Sequence, residues 1–213
     1  RGTIETATGL RIVSLTGRGD TVAAIELLKS TVLQNQDRLS GILSGLSSVA
    51  EYLPEDQRRN VGTIQLEAMQ HAGVNPAGLS REQVATFGPI VASAFEMTGQ
   101  SSRAIETLDR MLSNQPQDVA MRRRIAVLLL MTDNPADTAA AQLHFRKLES
   151  SLKAGSSEWM DARIHVIEAA ILLKKFDEAK KLLKVTQLLY PNPSADDLKR
   201  RLQDASTTLA SAK

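Results

Sequence analysis

Between well-spaced breakers, the apolar residues of this chain recur at the three-and-four spacing of an α-helix and at almost no other. Val22, Ile25, Leu28 and Val32 form one stripe, Ile105, Leu108 and Leu112 another, and Ile164, Ile167 and Ile171 a third. No run of four to eight residues alternates as a half-buried strand would, and no Asn-Gly or Asp-Gly pair marks a β-hairpin. Breakers stand at Gly17-Arg18-Gly19, Pro54, Gly73 to Gly78, Gly99, Pro116, Asn134-Pro135, Gly155 and Pro191 to Pro193, and they divide the chain into about eleven helices. Start signals agree with this division: Asp20 ahead of Thr21-Val22, a capping box at Ser80-Arg81-Glu82-Gln83, and Ser194 ahead of Ala195-Asp196-Asp197. Short loops between helices of roughly 12 to 18 residues favour antiparallel hairpins.

The hairpins repeat. A shift of 75 residues aligns Val91 with Val166, Ala94 with Ala169, Ala104 with Ala179, Leu108 with Leu183 and Pro116 with Pro191. Ala104, Leu108, Met111 and Pro116 keep the gaps of Ala179, Leu183, Thr186 and Pro191, and half of that shift, about 37 residues, is a helix-hairpin period. A middle unit follows at Ala141, Phe145 and Leu148, after a loop lengthened by Asn134 to Asp137, with Lys153 in place of the closing proline.

On these residues the chain resembles the tetratricopeptide repeat (TPR) family. The likeness rests on the small residue early in the second helix (Ala104, Ala179), the large apolar residue four later, the closing Pro116 and Pro191, and the turn-like Lys175-Phe176-Asp177-Glu178-Ala179. Upstream, Gly19 to Ala24 with Leu28, and Ile64, Ala68 and Pro76, look like degenerate units at a spacing of about 40 residues. The family's tryptophan is missing, its positions being Gly88 and Arg163, and its Leu-Gly pair stands as Val91-Ala92 and Val166-Ile167. The resemblance implies an all-α fold: antiparallel hairpins stacked as a right-handed α-solenoid, about five hairpins plus a C-terminal capping helix. The expected organisation is degenerate hairpins over 1–78, three TPR-like hairpins over 79–193, and a cap over 194–213 in which Leu198, Leu202 and Leu209 face inward while Lys199, Arg200, Arg201 and Asp204 face water. A non-repeating helical bundle is the competing architecture.

No constellation for catalysis is legible. The chain has no Cys, which removes disulfides, thiolate metal sites and a cysteine nucleophile. His71, His144 and His165 are scattered without a His-Glu-x-x-His pattern and read as solvated or capped side chains. Gly17-Arg18-Gly19 starts like a dinucleotide loop, but Val22 stands where its third glycine belongs and no strand precedes it, so it reads as a turn between helices. There is no Gly-Lys-Ser/Thr phosphate loop, and Ser150 to Lys153 with Thr132-Asp133-Asn134 matches a Ser-x-x-Lys pair only in reversed order. The expectation is a chain that is not an enzyme, with no catalytic residue, cofactor or metal site.

The longest apolar run, Ile125 to Met131, is far short of the roughly 20 residues of a membrane span. Arg1-Gly2-Thr3 at the start, without Met or leader, reads as a piece of a longer protein. Lys+Arg 26 against Asp+Glu 24 leaves a formal +2, too small a surplus to argue nucleic-acid binding from. Lys174, Lys175, Lys180, Lys181 and Lys184 gather on the last hairpin, with Arg122 to Arg124 and Lys199 to Arg201 elsewhere, yet the chain's seven aromatics sit mostly at core-like spacings, so solvated faces are the better reading.

The resemblance therefore implies binding of a peptide or helical segment of a partner protein in a groove lined by the first helix of each hairpin. By the family's pattern that lining is Thr86, Ser93, Glu96, Arg123, Leu130, Asp161, Ile164 and Glu168. The Lys and Asn clamp with which the family's chaperone-tail binders hold a carboxylate is missing, so the expected preference is for a basic or amphipathic segment. The alternatives are a structural spacer or self-association domain and, less favoured, nucleic-acid binding through the Lys-rich last hairpin. Composition fixes no cellular compartment.

Overall fold

The computed structural model describes residues 2–32, 36–191, 193 and 195–212, with side chains over 8–30, 38–191, 193 and 195–212. Among the described residues there are eleven α-helices and no strand: α1 (Gly2–Gly17), α2 (Thr21–Val32), α3 (Gln36–Ala50), α4 (Glu55–His71), α5 (Arg81–Met97), α6 (Ser101–Asn114), α7 (Val119–Leu130), α8 (Pro135–Ser151), α9 (Ser157–Leu172), α10 (Phe176–Leu189) and α11 (Asp196–Ser211). They form two compact units, Arg1–Pro116 and Gln117–Lys213, so the block expected over 79–193 is divided at Pro116. Ser194, the expected start signal of the last helix, lies outside the described residues, as does the side chain of Val32.

In the first unit α1 packs on α2, α3 on α4 and α5 on α6, while α4 also lies against α5. Ala24, Leu28, Ile64 and Ala68, the residues of the degenerate units, are all buried, whereas Val22 of the same sequence stripe is exposed. Asp20 accepts from the Ala23 amide at 3.1 Å, and Ser80 and Gln83 form the capping box reciprocally, at 3.2 and 2.9 Å. These bonds satisfy amides that a helix start leaves without a partner. Close approach explains two glycines: a Cβ on Gly62 would lie 2.9 Å from the Ala94 carbonyl oxygen, and one on Gly88 2.8 Å from Met111 Sδ. Gly88 is thus the contact of α5 with α6, at the place where the resemblance would put a tryptophan.

The second unit pairs α7 with α8 and α9 with α10, and α11 lies against both α9 and α10. Its core joins Trp159, Ile164, Ile167, Ala179 and Leu183 to Leu198, Leu202, Ala205 and Leu209 of α11. The last helix therefore buries an apolar stripe at i, i+4, i+7 and i+11, which holds it on the unit at roughly 25 cal/mol per Å² of apolar surface removed from water.

The 75-residue repeat is present in the backbone itself. α6 and α10 have equal lengths of 14 residues and start 75 residues apart. Gln100 (φ −91°, ψ 57°) matches Lys175 (φ −84°, ψ 58°), and Gln115 (φ −134°, ψ 68°) matches Tyr190 (φ −135°, ψ 66°). Each preceding helix ends in a left-handed residue, Gly99 at φ 73° and Lys174 at φ 58°. The same closing bonds follow: the Gln100 amide donates to Phe95 O at 2.7 Å, and the Lys175 amide to Ala170 O at 2.8 Å. Ala104, Leu108, Ala141, Phe145, Leu148, Ala179 and Leu183, the residues that carry the repeat in the sequence, are all buried.

Candidate functional site

The expected lining residues divide between the units. Thr86, Ser93 and Glu96 stand on α5 of the first unit at i, i+7 and i+10, one face of the helix, with Thr86 exposed and the other two half-buried. Pro89 interrupts the hydrogen-bond ladder on the same helix without ending it, at a turn where Ala85 and Pro89 are both exposed.

In the second unit Arg123 and Leu130 stand on α7, and Asp161, Ile164 and Glu168 on α9. Ile164 is fully buried and belongs to the core; it lines no surface. It stands three residues before Ile167 on the same helix and shares its buried stripe.

Asp161 and Glu168, two turns apart on α9, face α11, and Arg201 reaches both. Its Nε and Nη2 donate to the two Glu168 oxygens at 2.9 and 2.6 Å, and its Nη1 donates to Asp161 Oδ1 at 2.8 Å. Arg123 holds the other Asp161 oxygen at 2.9 Å. The side chains of Arg201, Asp161 and Glu168 are only 19%, 13% and 32% exposed. A guanidinium fork matches a carboxylate edge and keeps its charge throughout, so the arrangement is strong and directional.

This corrects the expectation that Arg201 faces water. Its position between Leu198 and Leu202 on one side and Ala205 on the other puts it at the margin of the buried stripe, which is the signal by which the sequence could have revealed it. The expected preference for a basic segment loses its basis on this helix, since Asp161 and Glu168 are matched by Arg123 and Arg201.

His165 sits beside this cluster. Its Nδ1 lies 2.9 Å from the Asp161 carbonyl oxygen, and its ring stacks on Phe145 with centroids 4.3 Å apart. Burial, then the neighbouring Arg201 charge, pulls its pKa below the ordinary histidine value, against the opposing pull of Asp161. The imidazole is thus a capped, packed side chain. A second polar cluster ties α8 to α10: Gln142 donates to Glu178 at 3.1 Å, Arg146 pairs with Glu178, and Lys175 donates to Gln142 at 3.4 Å. Arg163 pairs with Glu149 and lies 5.0 Å over the Trp159 ring. Among the described residues no group of three or more His, Cys, Asp or Glu could hold a metal ion, and no helix is long and apolar enough to cross a membrane.

No family model and no curated protein matches the chain. Among solved structures it is similar to one from Podosopora anserina described as a "putative kinesin light chain nearly identical TPR-like repeats", with 11% identity, a TM-score of 0.47 and 97% of each chain covered. A single-substitution variant of the same repeats gives 15% identity and a TM-score of 0.43, covering 86% of this chain and 92% of that one.

Proposed function

We propose that this chain is a non-catalytic protein-interaction module that holds a peptide or helical segment of a partner protein. The observation that supports this reading is the seating of α11: an amphipathic helix with an arginine at its margin lies on α9, its apolar stripe buried and its Arg201 forked between Asp161 and Glu168. The fold thus receives a helix in its own second unit, with the contacts that helix-in-groove recognition uses between proteins. The corresponding face of α5, marked by Thr86, Ser93 and Glu96, is the surface assigned to the partner. With Asp161 and Glu168 committed to Arg201, any preference for basic segments has to come from that face.

The test is selection from a displayed library of helical peptides, followed by titration of the selected peptides against the chain and its Thr86→Arg/Ser93→Arg variant. Thr86 is exposed and Ser93 half-buried, so circular dichroism checks that the variant keeps the helix content of the wild type. Peptides that bind the wild type and lose at least tenfold in affinity for the variant support the reading. Peptides that bind both equally, or an unenriched library, contradict it.

A further inference from the structure

α10 carries a second surface, separate from the α5 face. Lys180, Lys181 and Lys184 are exposed on it, and among the described residues none of the three has an acidic partner. Val185, Leu188 and Leu189 are exposed among them, Leu188 at 78%. Alongside runs a groove of about 250 Å³ lined by Lys180, Leu183, Lys184 and Gln187 of α10 and by Leu209 and Ala210 of α11. No acidic residue lines it. Lys180 and Lys184 are four residues apart, hence one helical turn and about 6 Å along its bank.

We propose that this groove and the adjoining face of α10 dock an acidic amphipathic helix of another protein. An apolar side chain at every third or fourth position of such a helix reaches the Leu183 and Leu209 base. Carboxylates one turn apart beside that stripe meet Lys180 and Lys184, and Leu188 covers the next turn. Shape separates this occupant from a membrane, since a bilayer surface cannot enter a groove between two helices, and three exposed apolar side chains insert little into one. Chemistry separates it from single-stranded nucleic acid, because Tyr190 packs against Trp159 with centroids 5.0 Å apart and Phe176 packs against the core of the unit, so neither offers a stacking platform. A contact that depends on exposed lysines is salt-sensitive.

The experiment is fluorescence anisotropy on the full chain with four probes: a labelled helical 18-residue peptide with a Leu stripe flanked by Glu, its Glu-to-Lys counterpart, a single-stranded RNA 12-mer, and phosphatidylserine vesicles in a sedimentation format. The variants are Lys180→Glu/Lys184→Glu and Leu188→Gln, all at exposed positions, with fold checked by circular dichroism. The expected result is binding of the acidic peptide that weakens with salt, falls at least tenfold in the double-lysine variant and severalfold in Leu188→Gln, with the lysine peptide binding only the charge-reversed variant. Absence of acidic-peptide binding, binding unchanged by the double variant, or tighter binding of RNA or vesicles overturns the proposal.

Discussion

α5 and α9 are the same helix used in two ways. They lie 75 residues apart in the repeat, end in matching left-handed turns, and lead into second helices of equal length and equal capping angles. In that register Thr86 stands where α9 has Asp161, Ser93 where it has Glu168, and Pro89 where it has Ile164. The α9 face carries two carboxylates and is closed by Arg201 of α11. The α5 face carries hydroxyls, with Thr86 exposed and Ser93 half-buried. The buried positions of the repeat set the hairpin geometry, while a few outward positions set the chemistry that each face offers.

If that contrast is real, the largest effect belongs to Arg201. Arg201→Met leaves Asp161 and Glu168 largely buried with only Arg123 as counter-charge, and should cost about 2–3 kcal/mol, the buried-pair figure discounted for the remaining exposure. Urea unfolding measures the loss, and hydrogen exchange should place it in α11. A result within about 0.5 kcal/mol of wild type, the usual range for surface substitutions, would make the cluster a surface decoration.

The two faces can next be set against each other. Asp161→Asn/Glu168→Gln should destabilise by about 1–2 kcal/mol, since neutral partners still accept hydrogen bonds from Arg201, whereas Thr86→Ala/Ser93→Ala should stay within about 0.5 kcal/mol. Equal losses from the two double variants would erase the distinction drawn between α5 and α9.

The turns give a sharper and smaller contrast. Gly99→Ala forces a side chain into a left-handed conformation at φ 73° and should cost about 1 kcal/mol, while Lys174→Gly relieves the same strain at φ 58° and should gain up to about 1 kcal/mol. Thermal melts of the two variants moving in opposite directions would confirm that the turns are equivalent.

The smallest effect is in pH dependence. Because His165 has a depressed pKa when folded, the unfolded chain takes up a proton before the folded one does. Its contribution to stability is therefore fully present above the ordinary imidazole range and is lost as pH falls from about 6.5 toward the folded value. His165→Gln should flatten that part of a stability profile, and an unchanged slope would assign it to other groups.

Most of the fold was legible because it is written in spacing. Ala104, Leu108, Ala179 and Leu183 repeat at fixed gaps, and a residue that must be small where helices touch, or large beside them, cannot drift far without loss of packing. Caps such as Ser80 were legible for a similar reason, since the capping box is a local bond pattern. Gly88 was legible only as a departure, and its reason, the Met111 side chain of α6, is a contact between helices. The site was less legible. Glu168 and Asp161 were identifiable as polar positions on a first helix, but Arg201, which determines what they do, lies 33 and 40 residues further on. Ile164 was misplaced because a family's lining pattern was carried over without asking which side of α9 the core occupied.

The most direct test of the closed α9 face is a double-mutant cycle between Arg201→Met and Glu168→Gln, read by urea unfolding. A face closed by this contact predicts a coupling above about 1 kcal/mol, well beyond what an exposed pair such as Arg200 with Asp197 supplies. Coupling near zero would mean that α11 is seated by its apolar stripe alone, and that the acidic pair on α9 plays no part in receiving a helix.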